Sequence, residues 1–123
     1  MNISRFFTFF LFIFLIGKET NGQSLNWIKS YEQNGLIISY DIQNCNGKLT
    51  MFLRLENKGT VSRRIELNGN IQEGGYNQNV KGTYYLNPSS IQLMQCGDPV
   101  TPNACCIQLI YPFVKPIVIL QVK

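Results

Sequence analysis

The chain has 123 residues, 11 of them basic and 7 acidic, no histidine, and a net charge of +4. That length allows one domain. The absence of histidine excludes Ser-His and Cys-His nucleophile pairs and the usual imidazole metal ligands.

Residues 1–22 read as a signal peptide. Arg5 supplies a positive start, and Phe6 to Ile16 is apolar throughout except for Thr8. Thr20 and Gly22 place small residues before a cut that leaves Gln23 as the new terminus. The run is shorter than the roughly 20 apolar residues a spanning helix needs. A retained anchor is the competing reading. Residues 23–123 keep nine basic and six acidic residues, a net +3. The basic residues are scattered. The one adjacent pair, Arg63-Arg64, points to opposite faces of a strand. This argues against a nucleic-acid partner, and no membrane partner is expected after signal cleavage.

A short first strand is expected over Asn26 to Tyr31, with Trp27 packing on the core or at an edge. Asn34-Gly35 then turns the chain. From Leu36 to Leu67 apolar and polar residues alternate, which predicts three consecutive strands with one buried face each. Leu36, Ile38, Tyr40 and Ile42 share a face, as do Leu49, Met51, Leu53 and Leu55, and then Val61, Ile65 and Leu67. Asn46-Gly47 and Asn57-Lys58-Gly59 supply the turns. Two residues break the pattern. Phe52 falls on the polar face, either covered by a loop or available as a binding surface. Arg63 falls on the apolar face, as an edge residue with a packed stem.

Asn68-Gly69 reads as another turn. Residues 70–79 read as a mobile loop with Tyr76 at its tip, a second candidate binding residue. Further strands are expected at Val80 to Leu86, Ile91 to Cys96, Cys105 to Tyr111 and Val114 to Val122. Pro112 and Pro116 bend the last or put it at an edge. The spacing of turn signals fits an all-β antiparallel sandwich or barrel of seven or eight strands.

Cys45, Cys96, Cys105 and Cys106 follow the leader, and with export they predict two disulfides. A bond between the neighbours Cys105 and Cys106 requires a strained backbone. Two pairings remain: Cys45–Cys106 with Cys96–Cys105, or Cys45–Cys105 with Cys96–Cys106. The first is favoured, because the loop Gly97 to Ala104 carries two prolines and a glycine. Such a loop can reverse the chain and set its flanking cysteines opposite each other. Cys96, Cys105 and Cys106 could instead hold a soft metal as thiolates. Oxidising export favours disulfides, so no metal and no cofactor is expected. The carboxylates Glu32, Asp41, Glu56, Glu66, Glu73 and Asp98 lie on polar strand faces or turns, where solubility accounts for them. No catalytic residue is expected and the chain reads as a non-enzyme.

The segments ISYDIQNC at 38–45, MFLRLENK at 51–58 and NPSSIQLMQC at 87–96 are similar to short secreted immunoglobulin-like β-sandwich domains of uncharacterised bacterial proteins. The resemblance covers about 60 residues. Gln95 departs from the glycine that such chains carry before the cysteine. The resemblance implies an immunoglobulin-like sandwich, a secreted or periplasmic location and a direct Cys45–Cys96 bond.

Three function classes follow. The leading one is a binding or adhesion module of the cell envelope that takes a protein or glycan partner through loops or an edge strand. The next is a structural or assembly component that pairs strands with its partner. The third is a cysteine-based soft-metal or redox protein.

Overall fold

The computed structural model describes residues 24–99 and 104–123. The expected leader and its cut therefore lie outside the described residues, as does the middle of the loop after Cys96. Two turns come out as read. Asn34 and Gly35 have φ of +51° and +81°, and Asn46 and Gly47 have +53° and +83°. Two consecutive positive φ values make the tight hairpin connection that follows the strand twist. They join β1 (Ile28–Gln33), β2 (Leu36–Cys45) and β3 (Lys48–Asn57) into a meander. The β2–β3 register is unbroken from Leu36 opposite Asn57 to Cys45 opposite Lys48. β1 starts two residues later than expected and carries an irregularity between Lys29 and Tyr31.

The chain then crosses to a second sheet. β4 (Arg63–Glu73) pairs with β5 (Tyr76–Leu86), and β8 (Ile117–Val122) takes the other edge of β4. Four expectations are corrected here. Asn57-Lys58-Gly59 is not a hairpin turn but the start of the crossover, since β3 and β4 lie in different sheets. Val61 is outside the strand and 70% exposed. Residues 70–79 are not a loop, because Gly74-Gly75 closes a hairpin with continuous register from Arg63 opposite Leu86 to Glu73 opposite Tyr76. Asn68-Gly69 is not a turn but the middle of β4. A Cβ on Gly69 would lie 2.6 Å from Val80 Cγ2 and 2.8 Å from Leu120 Cδ2. That glycine makes room for neighbours on both flanking strands, and does not reverse the chain.

β6 (Ser90–Leu93) and β7 (Cys106–Gln108) return to the first sheet. Both pair antiparallel with the free edge of β3, β6 opposite Arg54 to Asn57 and β7 opposite Thr50 to Phe52. They are two pieces of one interrupted edge strand. The amide of Leu53 donates to the carbonyl of Cys105 (2.9 Å) between them, and Leu109 N donates to Leu49 O (2.9 Å) beyond. The expected strands Ile91 to Cys96 and Cys105 to Tyr111 thus shorten, and the chain leaves this line after Leu93 and is back on it at Cys105.

This geometry overturns the favoured cysteine pairing. Because β6 and β7 are collinear and not a hairpin, Cys96 and Cys105 never face each other. The excursion instead crosses the outer face of the first sheet. It meets the end of β2, where Cys45 and Cys96 form a disulfide with Cα atoms 5.5 Å apart. Cys105 and Cys106 are free thiols, the first buried and the second half-buried. Four cysteines therefore make one bridge here, not two. Of the pairings considered, this one agrees with what the resemblance implied.

The two sheets share one core. Leu36, Ile38, Met51, Leu53 and Leu55 from the first face Ile65, Leu67, Ile71, Val80, Tyr84, Leu86 and Leu120 from the second. Asn57 is fully buried at the end of β3. Its Nδ2 donates to the carbonyls of Val61 and Asn87 (3.0 Å each), and its Oδ1 accepts from Gly59 N (3.0 Å). It stitches the crossover between sheets by satisfying backbone groups that no strand partner reaches.

Candidate functional site

The two outer faces of the sheets differ. On the first sheet the outer face is largely covered. The amide of Asn26 donates to Asp41 (2.8 Å) and Gln43 donates to the carbonyl of Ser24 (2.8 Å), which lays the first described residues over β2. From the other side, the strap after Leu93 is tied down by the disulfide. Its turn is closed by Gln95 N donating to Asp98 Oδ2 (2.8 Å). Ser39, Thr50 and Phe52 point outward yet are buried.

Phe52, expected as a binding surface, is 1% exposed and forms the floor of a cavity of about 430 Å3. The loop-cover reading is the correct one, because the strap crosses its face. Cys45, Cys96, Asp98 and Cys106 also line this cavity. Burial raises the Cys106 thiol and Asp98 raises it further. Cys105, facing the core, is pushed up to about 11 by burial and by its neighbour Cys106. Neither thiol is an activated nucleophile at neutral pH.

Tyr76, the other expected binding residue, is 44% exposed. It opens β5 and is not at a loop tip. One ring face is taken by Tyr111, stacked at 4.8 Å, and Phe113 meets it edge-on at 6.3 Å. The same end of the β4–β5 hairpin clasps the irregular segment before β8. Glu73 accepts from the amides of Val114 (2.7 Å) and Lys115 (2.9 Å). Gln78 accepts from Ile110 N (2.8 Å) and donates to Gln108 O (3.2 Å). The amides of Lys115 and Val114 hold the Glu73 carboxyl below the ordinary 4.5. Protonation therefore favours the unclasped state. The clasp is fully present above the ordinary value and is lost as pH falls through the lower folded one. Protection of the Val114 and Lys115 amides, taken against the intrinsic exchange rate at each pH, is expected to fall on acidification and, in Glu73→Ala, to be low at every pH.

The outer face of the second sheet carries no such cover among the described residues. Its side chains form rows across β8, β4 and β5: Ile117, Gln72 and Asn77; Ile119, Asn70 and Asn79; Gln121, Asn68 and Lys81. Rows two residues apart lie about 6.6 Å from one another and strands about 4.8 Å. The amides are tied together. Asn70 Nδ2 donates to Asn77 Oδ1 (2.7 Å) and Asn79 Oδ1 (2.6 Å), and Gln72 Nε2 donates to Asn70 Oδ1. Charge is confined to one end, with Glu66, Lys81, Lys123 and Arg64. Tyr85, 70% exposed, flanks that end. A hydrogen bond with Tyr85 and the Glu66 carboxylate (2.8 Å) hold Arg64 above its ordinary pKa. Two shallow grooves, of about 500 and 290 Å3, run along these rows.

This face escaped the sequence reading. Asparagine is disfavoured in strands, so a polar stretch around Gly74-Gly75 reads as a loop. The signal was the alternation itself. Asn68, Asn70 and Gln72 before the glycines and Asn77, Asn79 and Lys81 after them fall at every second position. That is the period of a strand with amides on one face.

Each of the six carboxylates expected to be soluble decoration has a local partner. Glu32 meets Lys29, Glu56 meets Arg54 (3.1 Å), Glu66 meets Arg64, Glu73 and Asp98 accept backbone amides, and Asp41 accepts from Asn26 and Gln43. Among the described residues no group of three or more His, Cys, Asp or Glu side chains is arranged to hold a metal ion. Comparison with family models, curated proteins and solved structures yields no match to this chain.

Proposed function

We propose that the chain is a non-enzymatic binding module, secreted or periplasmic, whose ligand is a neutral glycan lying on the amide rows of the second sheet. The observation that carries this is the outward array of Asn68, Asn70, Gln72, Asn77, Asn79 and Gln121. These residues oppose strand propensity, and residues that break a local rule mark function more often than architecture. Each amide offers a donor pair and an acceptor, which suits the vicinal hydroxyls of a sugar. Internal bonds among the amides fix their orientation before binding, which reduces the ordering cost. The centre of the face is uncharged, so a charged polymer gains little there. Tyr85 at the rim offers an aromatic face to a sugar ring.

Export is part of the same proposal. The apolar leader and the Cys45–Cys96 bridge support it. Among the described residues no helix is long and apolar enough to cross a membrane. The immunoglobulin-like kinship has the same standing. Two antiparallel sheets favour it, while the Cys45–Cys96 bridge on the outer face of one sheet and the plain β1–β2–β3 meander are unlike the inter-sheet disulfide and Greek-key order of that fold.

Titration of the folded domain against a panel of neutral and acidic soluble polysaccharides tests the reading. A neutral glycan is expected to bind. Asn70→Ala combined with Asn79→Ala is expected to weaken it about tenfold or more, since lost hydrogen bonds of about 1 kcal/mol each add up. Binding only to acidic polymers, or no effect of the double substitution, would sink the glycan reading.

A further inference from the structure

A sheet edge is a row of backbone amides and carbonyls without partners. Proteins blunt such edges with bulges, charges, prolines or interruptions. Among the described residues the two sheets have four edges, and three are blunted. β1 carries an irregularity between Lys29 and Tyr31 and the charges of Lys29 and Glu32. The edge opposite it is broken into β6 and β7. β8 has six residues and follows directly on Pro116. β5 is the fourth edge. It runs 11 residues without proline, its register with β4 has no shift, and Lys81 is its only charge. Among the described residues no strand lies beyond it.

The hairpin decides what this edge offers. Gly74-Gly75 is a two-residue turn, so Glu73 and Tyr76 form a hydrogen-bonded pair. The even-numbered residues of β5 therefore bond to β4. Asn77, Asn79 and Lys81 turn their amides and carbonyls to the open edge, and their side chains lie on the amide face.

We propose that β5 pairs with β5 of a second copy of this chain, antiparallel about a twofold axis that sets Asn79 opposite the partner's Asn79. The register follows from charge. Full overlap of the two strands would centre on Lys81 and set two lysines opposite each other, which destabilises a strand pair. With the axis at Asn79, each Lys81 stands opposite an uncharged Asn77. Moving the axis the other way would bring the pairing toward Tyr84, whose hydroxyl donates to Ala104 of the strap (3.1 Å). The row of Asn70 and Asn79 also ends at this edge, with its amides already oriented by their own bond (2.6 Å). Across the axis that row continues into the same row of the partner, as asparagine ladders do between paired strands. The axis stands perpendicular to the sheet, so both amide faces look the same way and join into one surface. The contact uses the same patch on both copies and closes at two. It is small, which makes the dimer weak and dependent on concentration. It does not depend on what the amide face binds.

The chain is expressed from Met1, purified as processed, and followed by sedimentation velocity from about 1 μM to about 1 mM. Its mass is expected to rise from one chain to two and to stop there. Asn79→Pro removes an amide that β4 does not use, and proline is tolerated on that side of an edge strand. This variant is expected to keep its β circular dichroism and to stay a single chain. Asn77→Lys sets lysine against lysine twice across the axis and is expected to weaken the dimer about threefold or more. Asn77→Asp sets a carboxylate against Lys81 twice and is expected to tighten it by about the same factor. A single chain at every concentration overturns the proposal, as does assembly beyond two. A dimer that neither Asn77 variant shifts, or that persists unchanged in Asn79→Pro, overturns it as well.

Discussion

Cys96→Ser is expected to lower the unfolding free energy by about 4 kcal/mol. The Cys45–Cys96 bridge spans 51 residues, and in the chain-entropy model closing a loop of that length in the unfolded chain is worth about 4 kcal/mol. A domain of this size is stable by roughly 5–15 kcal/mol in total, so the loss is a large share. The midpoint of thermal unfolding should fall by on the order of 20 °C. Cys96 is the clean choice of the pair. Its removal leaves Cys45 and Cys106 two strands apart, with no sulfur that either can reach. Cys106→Ser, at a half-buried position, should change stability by about 0.5 kcal/mol or less. Cys105→Ser buries a hydroxyl in the core and should cost about 1–3 kcal/mol. Calorimetry of the three variants orders them. If Cys96→Ser were the mildest, the bridge would not be closing this loop.

Phe52→Ala is expected to cost about 3–5 kcal/mol, as for an aromatic residue inside a core, although Phe52 points to the outer face of its sheet. Its burial of all but 1% of its surface comes from the strap and its neighbours on that face. The space left behind joins a cavity that opens outward. Water can enter it, so the loss belongs at the lower end, about 3 kcal/mol. Denaturant unfolding gives the value. Tyr85→Ala, at a residue 70% exposed, is the control and should stay within about 0.5 kcal/mol. A Phe52→Ala effect as small as that of Tyr85→Ala would mean that the strap does not pack on the ring. The two large effects are linked. With Cys96 replaced the strap is untied, and the two substitutions together should cost less than their sum, because both remove the same cover.

The meander from Ile28 to Asn57 was legible in the residues alone. Its alternation has period two, its strands are neighbours in the chain, and Asn-Gly adopts two positive φ values with little help from the rest of the molecule. The all-β class followed from the same local facts. The dipeptide Asn68-Gly69 carries the same letters as Asn34-Gly35 and Asn46-Gly47, and there local preference lost. Val80 and Leu120 press on Gly69 from both flanking strands, and a turn would forfeit the pairing of β4 along its whole length. The amide rows were hidden for a related reason. Their asparagines signal loop one at a time and strand only when the β4–β5 register aligns them. The cysteine pairing and the burial of Phe52 lay furthest from the sequence. Both depend on β6 and β7 being one edge strand interrupted by an excursion, a relation among segments some 50 residues apart that no local propensity encodes.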